Sequence, residues 1–519
     1  MNDPNRINKN DSWIRLHEIS MQPPSLNDNT ADVDRLVKNI RKKTGFDNIS
    51  IPFSLVKRIP SLLREYGYRC NVVLYDLNEC AKVIDIYPLG LDTRIFAVAI
   101  DLGSSTVVVR MIDLISGESL GEVSFTNPQC EIGSDILSRI HFASGNDGKT
   151  HLQDILIREI NREIRSFQES LGIKTSEIVG VSAAGNTAMT HFFLGLDPFW
   201  ICREPYIPVI NSPDIISPSD IGIGIHPEAP VVVMPGAGSY LGGDVIAGVL
   251  ASGMNKRKET CLLVDVGTNA EVVLGNNEWL MACAGAAGPA LEGGVAAMGM
   301  MADTGAIDKV SIDPLSRKIH VNTIGGVSPT GICGSGLIDL VAHLFLSGMI
   351  DMQGKFREKK CSGRLFDIDG IKNLLIVQGS DTMSGKDLFI SQTDINALIR
   401  SKAAMYTILN TITGMANINI KDIDRFYIAG TFGAYIDPVS AISLGMIPDL
   451  PLDKYVSIGN TSIEGASIAL LSSESLKEVY RIKEMVTYIE LNVNQEFMNN
   501  FSAAKFIPHT DRSLFPSVK

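Results

Sequence analysis

Two acidic, glycine-containing turns stand in matching contexts along the chain. The first is Ala99-Ile100-Asp101-Leu102-Gly103-Ser104-Ser105-Thr106, and the second is Leu263-Val264-Asp265-Val266-Gly267-Thr268-Asn269-Ala270. Each lies between an apolar run read as a buried strand (Phe96 to Ile100; Cys261 to Val264) and a returning β-branched run (Val107 to Ile112; Ala270 to Leu274). A strand, a tight turn rich in glycine and hydroxyls, and a returning strand place backbone N–H and side-chain O–H groups around a phosphate. Asp101 and Asp265 are read as the catalytic carboxylates, serving a hydrated magnesium ion or the attacking water. Gly103, Ser104, Ser105 and Thr106, with Gly267, Thr268 and Asn269, are expected to contact phosphate as hydroxyl and backbone donors. One such turn is also an ordinary hairpin. Two in equivalent contexts predict a duplicated domain that grips a nucleotide from both sides.

A third segment completes the set. Arg425-Phe426-Tyr427-Ile428-Ala429-Gly430-Thr431-Phe432-Gly433 is an apolar strand ending in glycines, with a helix start at Pro438. Gly430, Thr431 and Gly433 are expected adenosine contacts, because glycine lets the backbone approach a base or ribose closely. This ordered trio resembles the superfamily of actin, Hsp70-type chaperones and sugar kinases. The resemblance implies an α/β fold: a duplicated actin/Hsp70-like ATPase with two βββαβα lobes around a nucleotide cleft, preceded by a small α/β module.

The elements that must position these turns divide the chain as follows. Residues 1–30, polar and rich in Asn, are expected to form a linker or arm. Residues 31–92 form a small α/β module, with helices over Asp32 to Lys43 and Ile51 to Tyr66 and strands over Cys70 to Asp76 and Lys82 to Tyr87. Lobe I is expected over 93–260, with a hairpin turn at Ser116-Gly117-Glu118, a helix from Leu152 to Leu171 and a strand from Ile178. Lobe II, over 261–475, repeats that order with helices from Ser335 and Thr393 and strands at Phe426 and Val456. Residues 476–519 are expected to be a tail packed on the core.

With 519 residues the chain exceeds one core, since single cores stop growing at about 250–300 residues. A net charge of −12 leaves no basic field to hold nucleic acid. No run reaches the ~18 apolar residues of a membrane span, and the polar N-terminus is no signal peptide, so a cytoplasmic protein is expected. The eight cysteines are scattered and none is spaced Cys-x-x-Cys. They are read as buried small apolar residues, with Cys333 open to a redox role as well as to packing.

Further stretches narrow the family. They are Asn127-Pro128-Gln129 with Gly133-Ser134-Asp135-Ile136-Leu137-Ser138-Arg139-Ile140; Ala184-Gly185-Asn186-Thr187-Ala188-Met189-Thr190-His191; Gly242-Gly243-Asp244-Val245; Ala286-Ala287-Gly288-Pro289-Ala290-Leu291-Glu292-Gly293-Gly294; and Gly331-Ile332-Cys333-Gly334-Ser335-Gly336-Leu337-Ile338-Asp339. In this order they resemble the ATP-dependent reductive activators of corrinoid methyltransferase systems, from about Pro23 to the end. The resemblance implies ATP and magnesium as cofactors and a corrinoid protein as partner, with ATP turnover coupled to reducing cobalt(II) back to cobalt(I). Members of that family carry an iron–sulfur domain with a cysteine cluster, which this sequence lacks. No iron–sulfur cluster is therefore expected, and a separate low-potential electron donor is. A homodimer is left open.

Gly334, Ser335 and Gly336 open an apolar helix, which is either an anion site at a helix N-terminus or plain capping by Ser335. Gly288, Glu292 and Gly293 are expected in a loop lining the cleft or facing the partner. His191 reads as a core histidine. Two other functions share these features: a reactivating chaperone for cobalamin enzymes, and a sugar-kinase-type enzyme with Asp244 as its base.

Overall fold

The computed structural model describes residues 11–77, 80–90, 93–267, 269–286, 296–361, 363–430, 436–491 and 495–518. The chain divides into two compact units, Met1–Gly253 with Ser462–Glu484 and Met254–Thr461 with Met485–Lys519. These units are not the linear blocks expected from the sequence. The segment after residue 461 returns to the first unit before the C-terminal residues rejoin the second.

The first unit opens with a four-stranded sheet. Its strands are β1 (Ile14–Ser20), β2 (Asn48–Ser50), β3 (Arg69–Leu77) and β4 (Cys80–Pro88), in the order β1-β3-β4-β2. The expected arm over 1–30 thus supplies a strand, paired with β3 along its whole length. The cause is a buried anchor within polar sequence. Trp13 and Ile14 are fully covered, and the Trp13 indole Nε1 donates to the Ala469 carbonyl at 2.7 Å. Helix Asp32–Thr44 lays Leu36 and Ile40 on this sheet at i, i+4 spacing. The single helix expected over Ile51 to Tyr66 is two, Phe53–Val56 and Ile59–Glu65. Pro60, lacking an N–H, cannot sit within a continuous helix and begins the second one.

The larger sheet of the first unit contains β5 (Phe96–Leu102), β6 (Thr106–Asp113), β7 (Ser119–Thr126), β8 (Ile178–Gly185) and β9 (Val231–Val233), in the order β7-β6-β5-β8-β9. The β7-β6-β5 pairings are antiparallel and the β5-β8-β9 pairings parallel. Phe96, Val98, Ile100 and Leu102 alternate onto one face, where helix Gly148–Leu171 meets them with Leu152, Leu156, Ile160 and Ile164. Helix Gly243–Ser252 crosses helix Thr461–Leu471 closely, since a Cβ on Gly465 would stand 2.3 Å from the Ala247 carbonyl oxygen.

The second unit repeats that plan. Its main sheet holds β10 (Cys261–Val266), β11 (Asn269–Gly275) and β12 (Leu280–Ala286), antiparallel in series. Between β12 and the rest of that sheet come two small three-stranded sheets. One is built from β13 (Ala306–Ile312), β14 (Ile319–Thr323) and β15 (Gly331–Ile332), the other from β16 (Leu365–Ile368), β17 (Ile371–Val377) and β18 (Leu388–Ser391). The main sheet continues with β19 (Arg425–Ala429) and β20 (Tyr455–Gly459), parallel to β10, and gains β21 (Val486–Tyr488) on its β12 edge. Strand for strand, β12-β11-β10-β19-β20 matches β7-β6-β5-β8-β9, so the expected duplicated plan is present in both units. Among the described residues no helix is long and apolar enough to cross a membrane.

The C-terminal segment is held to the second unit by an unusual polar anchor. Lys402 lies within helix Gln392–Met415 and is fully buried. Its Nζ donates to the carbonyls of Phe506 (2.6 Å) and Pro508 (2.7 Å), and burial pulls its pKa down to about 7. The neutral amine keeps two N–H groups, one for each carbonyl. Lys402→Met keeps the stem but leaves two buried acceptors unpaired, so unfolding in urea is expected to show a loss of about 1–3 kcal/mol. An unchanged midpoint would show that the anchor does not hold the segment.

Candidate functional site

In the first unit the site is built at the carboxyl ends of β5 and β8, the usual place for a ligand in an open α/β sheet. Asp101 is the penultimate residue of β5, opposite Val108 on β6 and level with Ala184 on β8. The turn Gly103 to Thr106 follows. A Cβ on Gly103 would stand 2.1 Å from the Thr106 carbonyl oxygen, so the turn closes this tightly only with glycine. The Asn127 N–H donates to the Ser105 carbonyl at 2.9 Å, fixing the turn to the end of β7.

Asp244 reaches the same sheet end from another element. It lies in the first turn of helix Gly243–Ser252, and its Oδ1 accepts the Val245 N–H at 2.8 Å. A Cβ on Gly242 would stand 2.4 Å from the Asn186 Cα, 2.6 Å from the Gly185 carbonyl oxygen and 2.7 Å from Asp244 Oδ1. Gly185 is level with Leu102 on β5, which brings Asp244 to the strand end that carries Asp101. Desolvation pushes its carboxyl up to about 6 against the pull of backbone N–H donors. A carboxyl poised there suits proton transfer near neutrality.

The second unit places Asp265 in the equivalent position, penultimate in β10 and level with Ala429 on β19. Gly430, at φ 87°, lies against it: a Cβ there would stand 2.7 Å from Asp265 Oδ1 and 2.9 Å from the Val266 carbonyl oxygen. Glycine at position 430 thus lets the backbone approach this carboxylate closely. A further acid escaped the sequence reading. Glu271 on β11 is directly opposite Asp265, so the two project from one face with Cβ atoms roughly 5 Å apart. The signal was available, because a hairpin around Gly267 puts every second residue of the return strand on the aspartate's face. Two adjacent carboxylates fit magnesium, a hard cation bound through one or two carboxylates and retained waters.

The other expected site residues divide. Gly334, Ser335 and Gly336 are buried at the start of helix Gly334–Leu346, packed on β13. The Ser335 hydroxyl donates to the Asp308 carbonyl at 3.2 Å, and a Cβ on Gly336 would stand 2.1 Å from the Ile307 carbonyl oxygen. Their small size thus serves close packing, and the helix is capped at Cys333 without a side-chain bond. Cys333 is buried with its Sγ 3.3 Å from the Ile307 carbonyl oxygen, a packing position. His191 is a core histidine: Nδ1 meets the Thr187 carbonyl at 2.7 Å, Nε2 accepts the Val209 N–H at 3.0 Å, and burial lowers its pKa. Gly267 lies at the turn after β10. Thr268, Thr431, Gly433, Gly288, Glu292 and Gly293 lie outside the described residues, as does the side chain of Asn269.

Comparison with known proteins covers nearly the whole chain. The C-terminal domain of RACo, the ASKHA domain, matches residues 259–519, the RACo middle region matches 96–257, and the RACo linker region matches 6–91. The corrinoid activation enzyme RamQ of Eubacterium limosum is 31% identical over 486 residues, covering 91% of this chain and 79% of that protein. The [Co(II) methylated amine-specific corrinoid protein] reductase of Methanosarcina barkeri is 26% identical over 438 residues, covering 78% of this chain and 76% of that protein. The solved structure of a reductive activator for corrinoid, iron-sulfur protein superposes with a TM-score of 0.92 at 37% identity, over 100% of this chain and 82% of that one. With two acidic strand–turn–strand units and matches to linker, middle region and ASKHA domain in their order, the chain belongs to the RACo family of corrinoid activators.

Proposed function

We propose that the chain is an ATPase that activates a corrinoid protein, coupling ATP hydrolysis to the one-electron reduction of cobalt(II) to cobalt(I). The observation that carries this reading is the full-length superposition on a reductive activator, with a strand-end aspartate beside a tight turn in each unit. In the first unit the turn amides of Gly103 to Thr106 receive phosphate oxygens, and Asp244 accepts the proton of the attacking water. In the second, Asp265 and Glu271 are the carboxylates that would hold magnesium, with Gly267 beginning the adjoining turn. Bound magnesium supplies charge neutralisation for the leaving phosphate. Asp101 orients water from the end of β5.

Electrons come from a separate low-potential donor in this reading. The buried cysteines, Cys70, Cys261, Cys283, Cys333 and Cys361, are poor cluster ligands, because a cluster needs about four converging thiolates. Burial pushes the Cys70 and Cys283 thiols up to about 12 and the Cys261 thiol up to about 11, which keeps them protonated. Cys333 and Cys361 are buried in packing positions.

Two measurements test the reading. The visible spectrum of a cobalt(II) corrinoid protein mixed with this chain and magnesium-ATP is expected to change to that of cobalt(I) only when a ferredoxin or a chemical reductant is added. Reduction without any donor, by protein carrying stoichiometric iron, would overturn the donor assignment. Asp265→Asn is expected to slow ATP hydrolysis by about 2–4 kcal/mol of barrier with the fold intact. Full turnover in that variant would remove Asp265 from the site.

Asp244 gives a test with a pH signature. Its folded pKa lies above the unfolded value, so the folded state binds the extra proton between about pH 4 and 6. Its contribution to stability is present below pH 4 and is lost as pH rises through 6. Asp244→Asn removes that loss, so the variant is expected to be about 3 kcal/mol more stable than wild type at pH 8, equal to it below pH 4, and inactive in hydrolysis. Equal stability of the two proteins at pH 8, or retained hydrolysis, would contradict the role assigned to this carboxyl.

A further inference from the structure

The motif Asn127-Pro128-Gln129 with Gly133 to Arg139 has no part in the chemistry above, yet it is built against the first turn. Asn127, Gln129 and Arg139 are all fully buried. The Asn127 side-chain Oδ1 accepts the Gln129 N–H at 2.9 Å, which leaves its Nδ2 to donate to the Gly103 carbonyl at 3.0 Å. Its backbone N–H donates to the Ser105 carbonyl at 2.9 Å. Arg139, in helix Ile136–Ala143, donates from Nη1 to the Ser104 carbonyl at 2.7 Å and from Nε to the Gly133 carbonyl at 2.8 Å, with Nη2 3.1 Å from Cys130 Sγ. Gln129 Nε2 ties the segment to helix Gly148–Leu171 through the Leu152 carbonyl at 2.9 Å.

Three successive carbonyls of the turn, those of Gly103, Ser104 and Ser105, are therefore held from one side. In a trans peptide the C=O and the following N–H point in opposite directions. The N–H groups of Ser104, Ser105 and Thr106 consequently face the other way, as successive donors that can meet an anion. Packing alone does not account for the residues chosen. A guanidinium is costly to bury, and among the described residues no carboxylate lies within ion-pair distance of Arg139. Leucine or methionine would fill the space more cheaply. What the guanidinium adds is a rigid set of donors and a positive charge fixed behind the amide row, where it favours a polyanion.

We infer that Asn127 and Arg139 are positioning residues for the nucleotide phosphates, bracing the Gly103–Ser105 carbonyls from behind so that the turn's amides are fixed toward the ligand. This rests on the ATPase reading and deepens it. The brace acts on phosphate and not on the nucleoside, and that difference separates it from a general structural role.

The test is isothermal titration of the full chain and its variants with a non-hydrolysable ATP analogue plus magnesium, and separately with adenosine. Arg139→Met and Asn127→Ala are expected to weaken the analogue roughly 10–100-fold, as loss of supporting contacts does at other sites, while adenosine affinity stays as in wild type. Arg139→Lys, which keeps the charge and one donor, is expected to recover part of the loss. Equal weakening of both ligands, or no weakening of the analogue, would overturn the brace. If Arg139→Met fails to fold, Asn127→Ala, which removes the donor to the Gly103 carbonyl and the acceptor of the Gln129 N–H, decides the question by the same comparison. Wild-type protein that binds no analogue would instead overturn the ATPase reading itself.

Discussion

A turn that offers its N–H groups to a phosphate must turn its carbonyls the other way, and a buried carbonyl must find a donor. In the proposed reading this constraint shapes the first unit around β5. The turn is short, so its glycine approaches the Thr106 carbonyl closely, and the donors for three carbonyls come from beyond β7. A buried arginine and asparagine in that segment follow from the need. They in turn require Gln129 to hold the segment on helix Gly148–Leu171, so the polar support reaches from the turn to the core. The apolar face of β5 and that helix, with Ile100, Leu102, Leu152 and Leu156 fully buried, keeps the strand ends from moving relative to the brace.

The same plan is used twice, but the two turns are finished differently. In the first unit Asp101 faces Val108 across the hairpin, and Asp244 arrives from a helix start. In the second unit Asp265 faces Glu271 directly, and Gly430 packs against its carboxylate. Like charges side by side disfavour double ionisation unless a cation or donors compensate. The first arrangement, a partly buried carboxyl near neutrality, suits proton movement. The second, two adjacent carboxylates, suits a cation. In the proposed reading, duplication of the fold came with division of the chemistry.

Much of this was legible in the sequence because the central strands carry it locally. Runs such as Phe96 to Ile100 and Cys261 to Val264 announce buried strands, and Asp-x-Gly announces the turns between them. What escaped depends on long-range pairing. Strand β1 hides in polar sequence because its stability comes from Trp13 bonded to Ala469, far along the chain. Glu271 gains its meaning from register and not from the turn itself. Gly334, Ser335 and Gly336 read equally as anion site or as packing until β13 is seen against them. The return of residues 462–484 to the first unit could not be read from local pattern either, since helix Thr461–Leu471 looks like any apolar helix until Gly465 meets Ala247.

An ATPase can drive an uphill reduction through binding alone. A protein that binds two states of its partner unequally shifts the equilibrium between them by that difference in affinity, and by no more. For a one-electron couple each tenfold preference for the reduced partner raises its potential by about 59 mV. The activator therefore needs a nucleotide-bound form that favours the cobalt(I) state of the corrinoid protein, and hydrolysis to release it afterwards. Neither step asks for thiolates or a cluster in the activator itself. Both steps ask that the presence of the terminal phosphate be sensed sharply. A turn whose amides are fixed before the nucleotide arrives meets that demand, because its donors lose little freedom on binding and their alignment depends on phosphate alone.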